Sequence, residues 1–317
     1  GNINKLPNEC SAVIEASADF SGFYCLNSEI TDENRIKFDE VPCSAAEDFA
    51  RKISRFYVDE TRSGVIPKSV DFFEMIGIGR TEHWDLIRQY KCSRSYEGIK
   101  SFIGLGSGGT PVVLDIHDKK DGPHGLVAGT TGSGKSETLQ TFILSIAMNY
   151  SPEDAAFVLI DYKGGGMANV FEGLPHIAGM ITNLSDAESG ELDSGLTRRA
   201  CSSLKSEVRR RQAVFKEYGV NHIDAYSRLY REGRTNIPMP HLIIISDEFA
   251  ELKKEQPDFI KELVSISRVG RSLGVHLILA TQKPSGVVDD EIQGNSRFRI
   301  CLRVQDKQDS TGMIMRP

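Results

Sequence analysis

The chain has 317 residues, 39% hydrophobic and 26% charged, enough for one large domain or two unequal ones and unlike a fibrous or disordered composition. Its 38 basic against 44 acidic side chains give a net charge of -6, which removes the simple electrostatic case for nucleic-acid binding. No apolar run reaches the roughly 18 residues of a spanning helix, and the start lacks the charged, apolar and small-residue pattern of a secretory leader. The expectation is a soluble piece. Opening on Gly1-Asn2 and stopping at Met315-Arg316-Pro317, just past an expected strand, it reads as a segment of something longer.

Along the first hundred residues the signals are mixed. Ser44 to Tyr57 predicts a helix, with Ser44 as N-cap, Glu47 as its capping-box partner and Phe49, Ile53 and Phe56 on one face. Val70 to Ile76 and Trp84 to Tyr90 predict short helical pieces around the Gly77-Ile78-Gly79 break. Gly104 to Gly109 is a turn-rich hinge. It is no dinucleotide motif, because Thr110-Pro111 and a strand follow it where a helix is needed.

From about residue 112 strands and helices alternate. The expected strands are Val112–Ile116, Leu126–Ala128, Phe157–Ile160, Leu242–Ile245, Val275–Leu279 and Phe298–Val304. Those at 157 and 242 are apolar throughout, as strands covered on both faces are. Three apolar stripes predict helices between them: Leu139, Phe142, Ile143, Ile146 and Ala147; Cys201, Leu204, Val208 and Phe215; Phe259, Leu263, Ile266 and Leu273. The alternation argues a three-layer α/β domain over 101–317 with a mostly parallel sheet, preceded by a smaller mixed segment over 1–100. Cysteines 10, 25, 43, 92, 201 and 301 have neither zinc-site nor disulfide-framework spacing, so they read as reduced thiols.

The chemistry is concentrated in a few stretches. Gly129-Thr130-Thr131-Gly132-Ser133-Gly134-Lys135-Ser136 fits G-x-x-x-x-G-K-[ST], the Walker A pattern, between an apolar strand and an amphipathic helix. Glycines let successive N–H groups converge on phosphate oxygens, and the helix start adds the positive end of its dipole. Lys135 can then bridge β- and γ-phosphates, and the Ser136 hydroxyl can ligate Mg²⁺. A Walker B candidate, His241-Leu-Ile-Ile-Ile-Ser-Asp247-Glu248, ends an apolar strand in two carboxylates. Asp247 suits the Mg²⁺ shell through water, and Glu248 suits a general base, which favours hydrolysis over binding alone. Gln282, after the run Leu277-Ile-Leu-Ala-Thr281, would face the γ-phosphate if that strand lies beside the Asp247 strand. Asp161-Tyr-Lys163-Gly-Gly-Gly166 follows another strand and reads equally as a phosphate-edge loop or a plain turn. Arg198, Arg199, Lys205 and the run Arg209-Arg210-Arg211 crowd one helix, and Arg268 and Arg271 end another; such runs are most often solvated faces. The residues thus imply a P-loop ATPase using ATP and Mg²⁺.

With these motifs the chain resembles the FtsK/SpoIIIE-like motor ATPases, and within them the first ATPase module of the EssC/EccC ATPases of type VII secretion. The resemblance is carried by Leu114-Asp-Ile-His117, Gly122 to Glu137, Leu159 to Met167, Met180 to Leu184, Ser246 to Leu252 and Val269 to Pro284. It implies a RecA-like core and Glu137 beside the nucleotide. It also implies an arginine acting in trans, which alignment places at Arg199, with Arg198 the alternative in register because the acidic stretch Ser185 to Gly195 departs from the family pattern. Further implied are a long membrane-anchored bacterial chain facing the cytoplasm, self-assembly (a hexamer when active), membrane partners of the same system, and export of small helical proteins with a Trp-x-Gly turn. The isolated piece is expected to be a weak ATPase without strong nucleic-acid binding. The alternative is a DNA translocase of the FtsK type, which shares the core.

Overall fold

The computed structural model describes residues 12–16, 21–25, 44–45, 47, 69–79, 81–106, 109–161, 166–182 and 194–315. The helix expected at Ser44–Tyr57 and the acidic stretch at 185–195 lie almost wholly outside them. Two compact units divide the chain, Gly1–Thr61 and Arg62–Pro317. In the first, β1 (Ala12–Ala16) and β2 (Ser21–Cys25) form an antiparallel pair, Ala12 opposite Cys25.

The second unit opens with two short helices, each started by an aspartate. Asp71 accepts the N–H groups of Phe73 and Glu74 at the head of α1 (Phe72–Met75), and Asp85 accepts that of Arg88 at the head of α2 (Leu86–Cys92). Such caps satisfy donors that the first helical turn leaves open. A ribbon of β3 (Lys100–Leu105) and β4 (Pro111–Asp115) follows, antiparallel and bulged between Phe102 and Gly104. The glycine-rich stretch is therefore only partly a turn: Gly104 belongs to β3, and the turn closes through Gly106 and Gly109. β4, expected as the first strand of the main sheet, pairs with β3 alone.

Among the described residues the main sheet has six strands, all parallel, in the order β10-β5-β9-β8-β6-β7. These are β5 (Gly125–Ala128), β6 (Ala155–Asp161), β7 (Ile177–Thr182), β8 (His241–Asp247), β9 (Val275–Thr281) and β10 (Phe298–Cys301). Between or after them run α3 (Lys135–Asn149), α4 (Ser194–Glu217), α5 (Ile223–Arg231), α6 (Phe249–Glu255), α7 (Pro257–Gly270), α8 (Asp290–Asn295) and α9 (Lys307–Ile314). α9 follows β10, which ends at Cys301 rather than Val304.

The continuous apolar runs resolve into two faces. Along β8, Leu242 and Ile244 join one core with Val208 and Phe215 of α4 and Leu263 of α7; Ile243 and Ile245 join another with Phe142 and Ile146 of α3. This is strand alternation with both faces covered, hence three layers. Each such Leu, Ile or Phe contributes about 1.5–3 kcal/mol. The ribbon lies on the α3 side, where Ser145 Oγ takes the Phe102 N–H at 2.8 Å. One expectation fails on α4: in the run Arg209-Arg210-Arg211, Arg211 is 1% exposed. Its guanidinium donates to the Pro240 and Leu273 carbonyls at 2.8 and 2.7 Å and to Glu207 at 2.8 Å, so this charge is structural.

Candidate nucleotide site

The strands bring their C-terminal ends together at one edge, where open parallel sheets place ligands. The loop after β5 is tied down from both sides. Gly129 N–H donates to Thr281 O at 3.1 Å, and Thr130 N–H and Oγ1 both donate to Arg303 O, at 2.9 and 3.0 Å. Gly132 and Gly134 have φ of 73° and 89°, a region that disfavours any side chain. Among the described residues nothing lies within 4 Å of where their Cβ atoms would stand, so a ligand can reach this backbone. Gly134 is followed at once by α3, whose first residue is Lys135.

Lys135 has a 5% exposed side chain and makes a close ion pair with Asp247 Oδ1 and another with Glu248 Oε1 at 2.6 Å. Asp247 ends β8, and its Oδ1 also accepts the Glu248 N–H at 3.0 Å. Glu248 itself has φ 54° and ψ 41°, left-handed for a residue with a side chain. Such strain costs on the order of 1–3 kcal/mol and collects at functional sites. Burial pushes the Asp247 carboxyl pKa up; the Lys135 ammonium opposes this, and the Glu248 and Asp161 charges add to it.

β9 pairs with β8, so the strand adjacency on which the Gln282 expectation depended is present. Gln282 Oε1 accepts from Thr131 Oγ1 at 3.1 Å, linking the strand end to the loop. The cleft between these groups, about 480 Å³, is lined by Thr130, Thr131, Gly132, Lys135, Ser136 and Glu137 on one side and by Asp161, Asp247, Glu248 and Gln282 on the other. Ser133 Oγ is buried without a partner among the described residues, and a Cβ on Gly129 would stand 2.4 Å from it. Arg198 and Arg199 are exposed near the start of α4 and do not line the cleft. Arg268 pairs with Glu291, and Arg271 Nε lies 3.9 Å from Asp118 Oδ2, both near the opposite edge of the sheet.

The sequence left the stretch starting at Asp161 open between a phosphate-edge loop and a plain turn. Asp161 closes β6 directly beside Asp247, lines the same cleft and accepts the Met167 N–H at 3.1 Å. The available signal was the one used for Asp247: an apolar run ending in a carboxylate.

On donor chemistry the residues fit a magnesium–nucleotide ligand. Among the described residues, the carboxylates of Glu137, Asp161, Asp247 and Glu248 and the ammonium of Lys135 line the cleft, and carboxylate oxygens are donors that suit a divalent cation. Among the described residues no three His, Cys, Asp or Glu side chains are grouped to hold a metal by themselves. Mg²⁺ takes one or two protein ligands and completes its shell with water and phosphate.

A phosphate loop between strand and helix, an acidic strand end facing its lysine, and a parallel three-layer sheet define a P-loop ATPase. The FtsK/SpoIIIE family model matches residues 85–286, and the chain belongs to that family. It is 45% identical over 315 residues to the type VII secretion system protein EssC of Staphylococcus aureus, covering 99% of this chain and 21% of that protein. With the ESX secretion system protein EccC of Geobacillus thermodenitrificans it shares 48% identity over 278 residues, 88% of this chain and 18% of that one. The chain thus spans about a fifth of the length of these curated relatives. Among solved structures, the cytoplasmic domain of the Thermomonospora curvata type VII secretion ATPase EccC superposes with a TM-score of 0.72 at 36% identity, over 79% of this chain and 29% of that one.

Proposed function

We propose that this chain is an ATP-hydrolysing motor module of a type VII secretion system, the first ATPase module of a longer EssC/EccC-like protein. What carries the reading is the meeting of Lys135, Asp247 and Glu248 at the strand ends of a chain 45% identical to an EssC protein. In this reading residues 101–317 are the motor domain, and residues 1–100 are a linker or accessory region.

Lys135 holds the β- and γ-phosphates, and the backbone of Gly129 to Gly134 cradles them. Mg²⁺, held by the Ser136 hydroxyl and through water by Asp247, would neutralise charge on the same phosphates. Glu248 polarises the attacking water, and Gln282 registers the γ-phosphate. An ammonium 2.6 Å from Oε1 keeps Glu248 from serving as a base, so engagement of Lys135 by phosphate also releases Glu248. Among the described residues no arginine lines the cleft, so the remaining transition-state charge is assigned to Arg199 of a neighbouring copy in a hexamer. No described helix is long and apolar enough to cross a membrane. The reading therefore places this module at the cytoplasmic face of the bacterial membrane through other parts of the protein, with membrane components of the system and small helical Trp-x-Gly substrates as partners.

The test is export by cells whose only copy of the full-length protein carries Glu248→Gln. Secretion should stop while the protein accumulates at its normal level; undiminished export would overturn the motor reading. In a companion titration, duplex DNA should bind no tighter than the non-specific range of about 10⁻⁴–10⁻⁶ M at physiological salt. Sub-micromolar, steeply salt-dependent binding would instead favour a DNA translocase.

A further inference from the structure

Away from the cleft, two short segments each carry a histidine and an aspartate, and the fold sets them face to face. One is His117-Asp118-Lys119, in the connection from β4 to β5; the other is His222-Ile223-Asp224, where His222 caps the start of α5. In each, the imidazole Nδ1 accepts the backbone N–H two residues on: that of Lys119 for His117 and that of Asp224 for His222, both at 3.2 Å. A nitrogen that accepts carries no proton, so each neutral ring keeps its proton on Nε2. His117 Nε2 then donates to Asp224 Oδ1 at 3.0 Å, and His222 Nε2 donates to Asp118 Oδ2 at 3.4 Å. Each segment offers its histidine to the other's aspartate.

His117 and Asp224 are 4% and 7% exposed, so their bond is shielded from water and salt. Asp118 Oδ1 also stands 3.2 Å from His117 Nδ1, and Asp224 Oδ2 stands 3.3 Å from His222 Nδ1. A proton added to His117 Nδ1 therefore meets a carboxylate, and it turns the bond to Asp224 into a charge-assisted one. The other charges that face the pair are Lys119, 3.3 Å from Asp224 Oδ2, Arg271, 3.9 Å from Asp118 Oδ2, and Asp115 at the end of β4; the neutral His241 at the head of β8 lies within their field. Arg297 donates to the Asp118 carbonyl at 2.9 Å. The bond to Asp224 raises the His117 pKa against the opposing effect of burial. Burial pushes the Asp224 carboxyl up, but His117, His222 and Lys119 outweigh it and hold it at about 2.

We infer that the two segments form a reciprocal histidine–aspartate clasp, which latches the start of α5 to the connection leading into β5 and tightens when His117 is protonated. α5 follows α4, and β5 leads into the phosphate loop, so the latch joins that pair of helices to the strand carrying the loop. With the His117 pKa raised, its contribution is complete below the ordinary 6.5 and is lost as pH rises through the raised value. That of Asp224 is complete above the ordinary 3.8 and is lost as pH falls towards 2. The clasp is therefore tightest between these limits. Two measurements on the full chain test it. Nitrogen-15 NMR of the neutral histidine rings should show the Nε2–H tautomer at both His117 and His222; an Nδ1–H tautomer at either overturns the reciprocal clasp. Native-state hydrogen exchange of the Tyr226 to Leu229 amides, corrected for intrinsic rates, reads the opening of α5. Its opening constant should rise about five- to tenfold from pH 5.5 to pH 8.5 in native protein. In His117→Gln, which keeps an N–H for Asp224 but does not titrate, that rise should vanish. An equal rise in both proteins overturns the pH-sensitive latch, as does Asp224→Asn leaving the His117 titration midpoint unchanged.

Discussion

The two ends of the same parallel strands hold buried polar groups in opposite ways. At the C-terminal ends, Asp247 and Glu248 pair with Lys135 and, with Asp161, line a cleft. At the N-terminal ends, His241 and His276 stack at 5.2 Å with no room between them, and His124 lies just ahead of β5. His276 Nδ1 donates to the Pro123 carbonyl at 3.1 Å, so its Nε2 accepts from His241 Nδ1 at 2.9 Å. His124 Nδ1 accepts the Leu277 N–H at 3.0 Å. Burial holds His241 down to about 3, His124 to about 4 and His276 well below its ordinary value. One end stacks buried imidazoles held below their ordinary pKa; the other carries an ion-paired acidic cluster, a strained glutamate and a cleft. A buried charged group signals function where it lines a cavity, and a buried imidazole stacked on its neighbour signals architecture.

If that division is right, substitutions at the cleft end, or in the neighbour that completes it, change rates and leave stability alone, and those at the histidine end do the reverse. The largest effect concerns the trans arginine. Forced assembly on a hexameric scaffold should raise turnover per site, a finger being worth about 10³–10⁵, and Arg199→Ala should remove the gain with ATP affinity nearly unchanged. Loss of the gain in Arg268→Ala or Arg271→Ala instead would move the finger to the histidine end and break the division. Next, Glu248→Gln should lower turnover by about 10²–10⁴ while ATP binding and melting temperature hold. A variant that melts early would make Glu248 a structural residue.

At the other end, His276→Leu removes the donor to Pro123 and the acceptor of His241. It should cost about 1–3 kcal/mol in denaturant unfolding without changing ATP affinity. The smallest effect is on pH dependence. His241 and His276 have native pKa values below the ordinary 6.5, so below that pH the unfolded chain binds protons the native one refuses. Their contribution is present near neutrality and is lost as pH falls from 6.5 towards 3. His117 runs the other way: its hydrogen bond to Asp224 raises its pKa, so its contribution is present below 6.5 and is lost as pH rises through the raised value. Melting temperature should therefore drop from pH 7 to pH 5, and less steeply in His276→Leu; an equal slope in both proteins would show that this pair does not govern acid lability.

The same contrast explains what could be read from the residues alone. The phosphate loop and the Asp247-Glu248 pair are local patterns, and the strands feeding them are apolar enough to stand out. β3 and β7 are not: β3 has the polar Lys100 and Ser101 and glycine at 104, and β7 is an edge strand interrupted by Gly179. The burial of Arg211 depends on carbonyls of residues 240 and 273, more than twenty positions away. The histidine stack likewise joins two strands 35 residues apart. Asp161 was visible as a strand end, but its bond to Met167 depends on how the chain returns to the core.

The central claim is that the cleft end binds phosphate through Lys135. Calorimetric titration of Mg²⁺·ATP into native protein, Glu248→Gln and Lys135→Ala tests it most directly. The account predicts comparable affinity in the first two and loss of measurable binding in the third, with all three equally stable. Equal affinity in native protein and Lys135→Ala would contradict it.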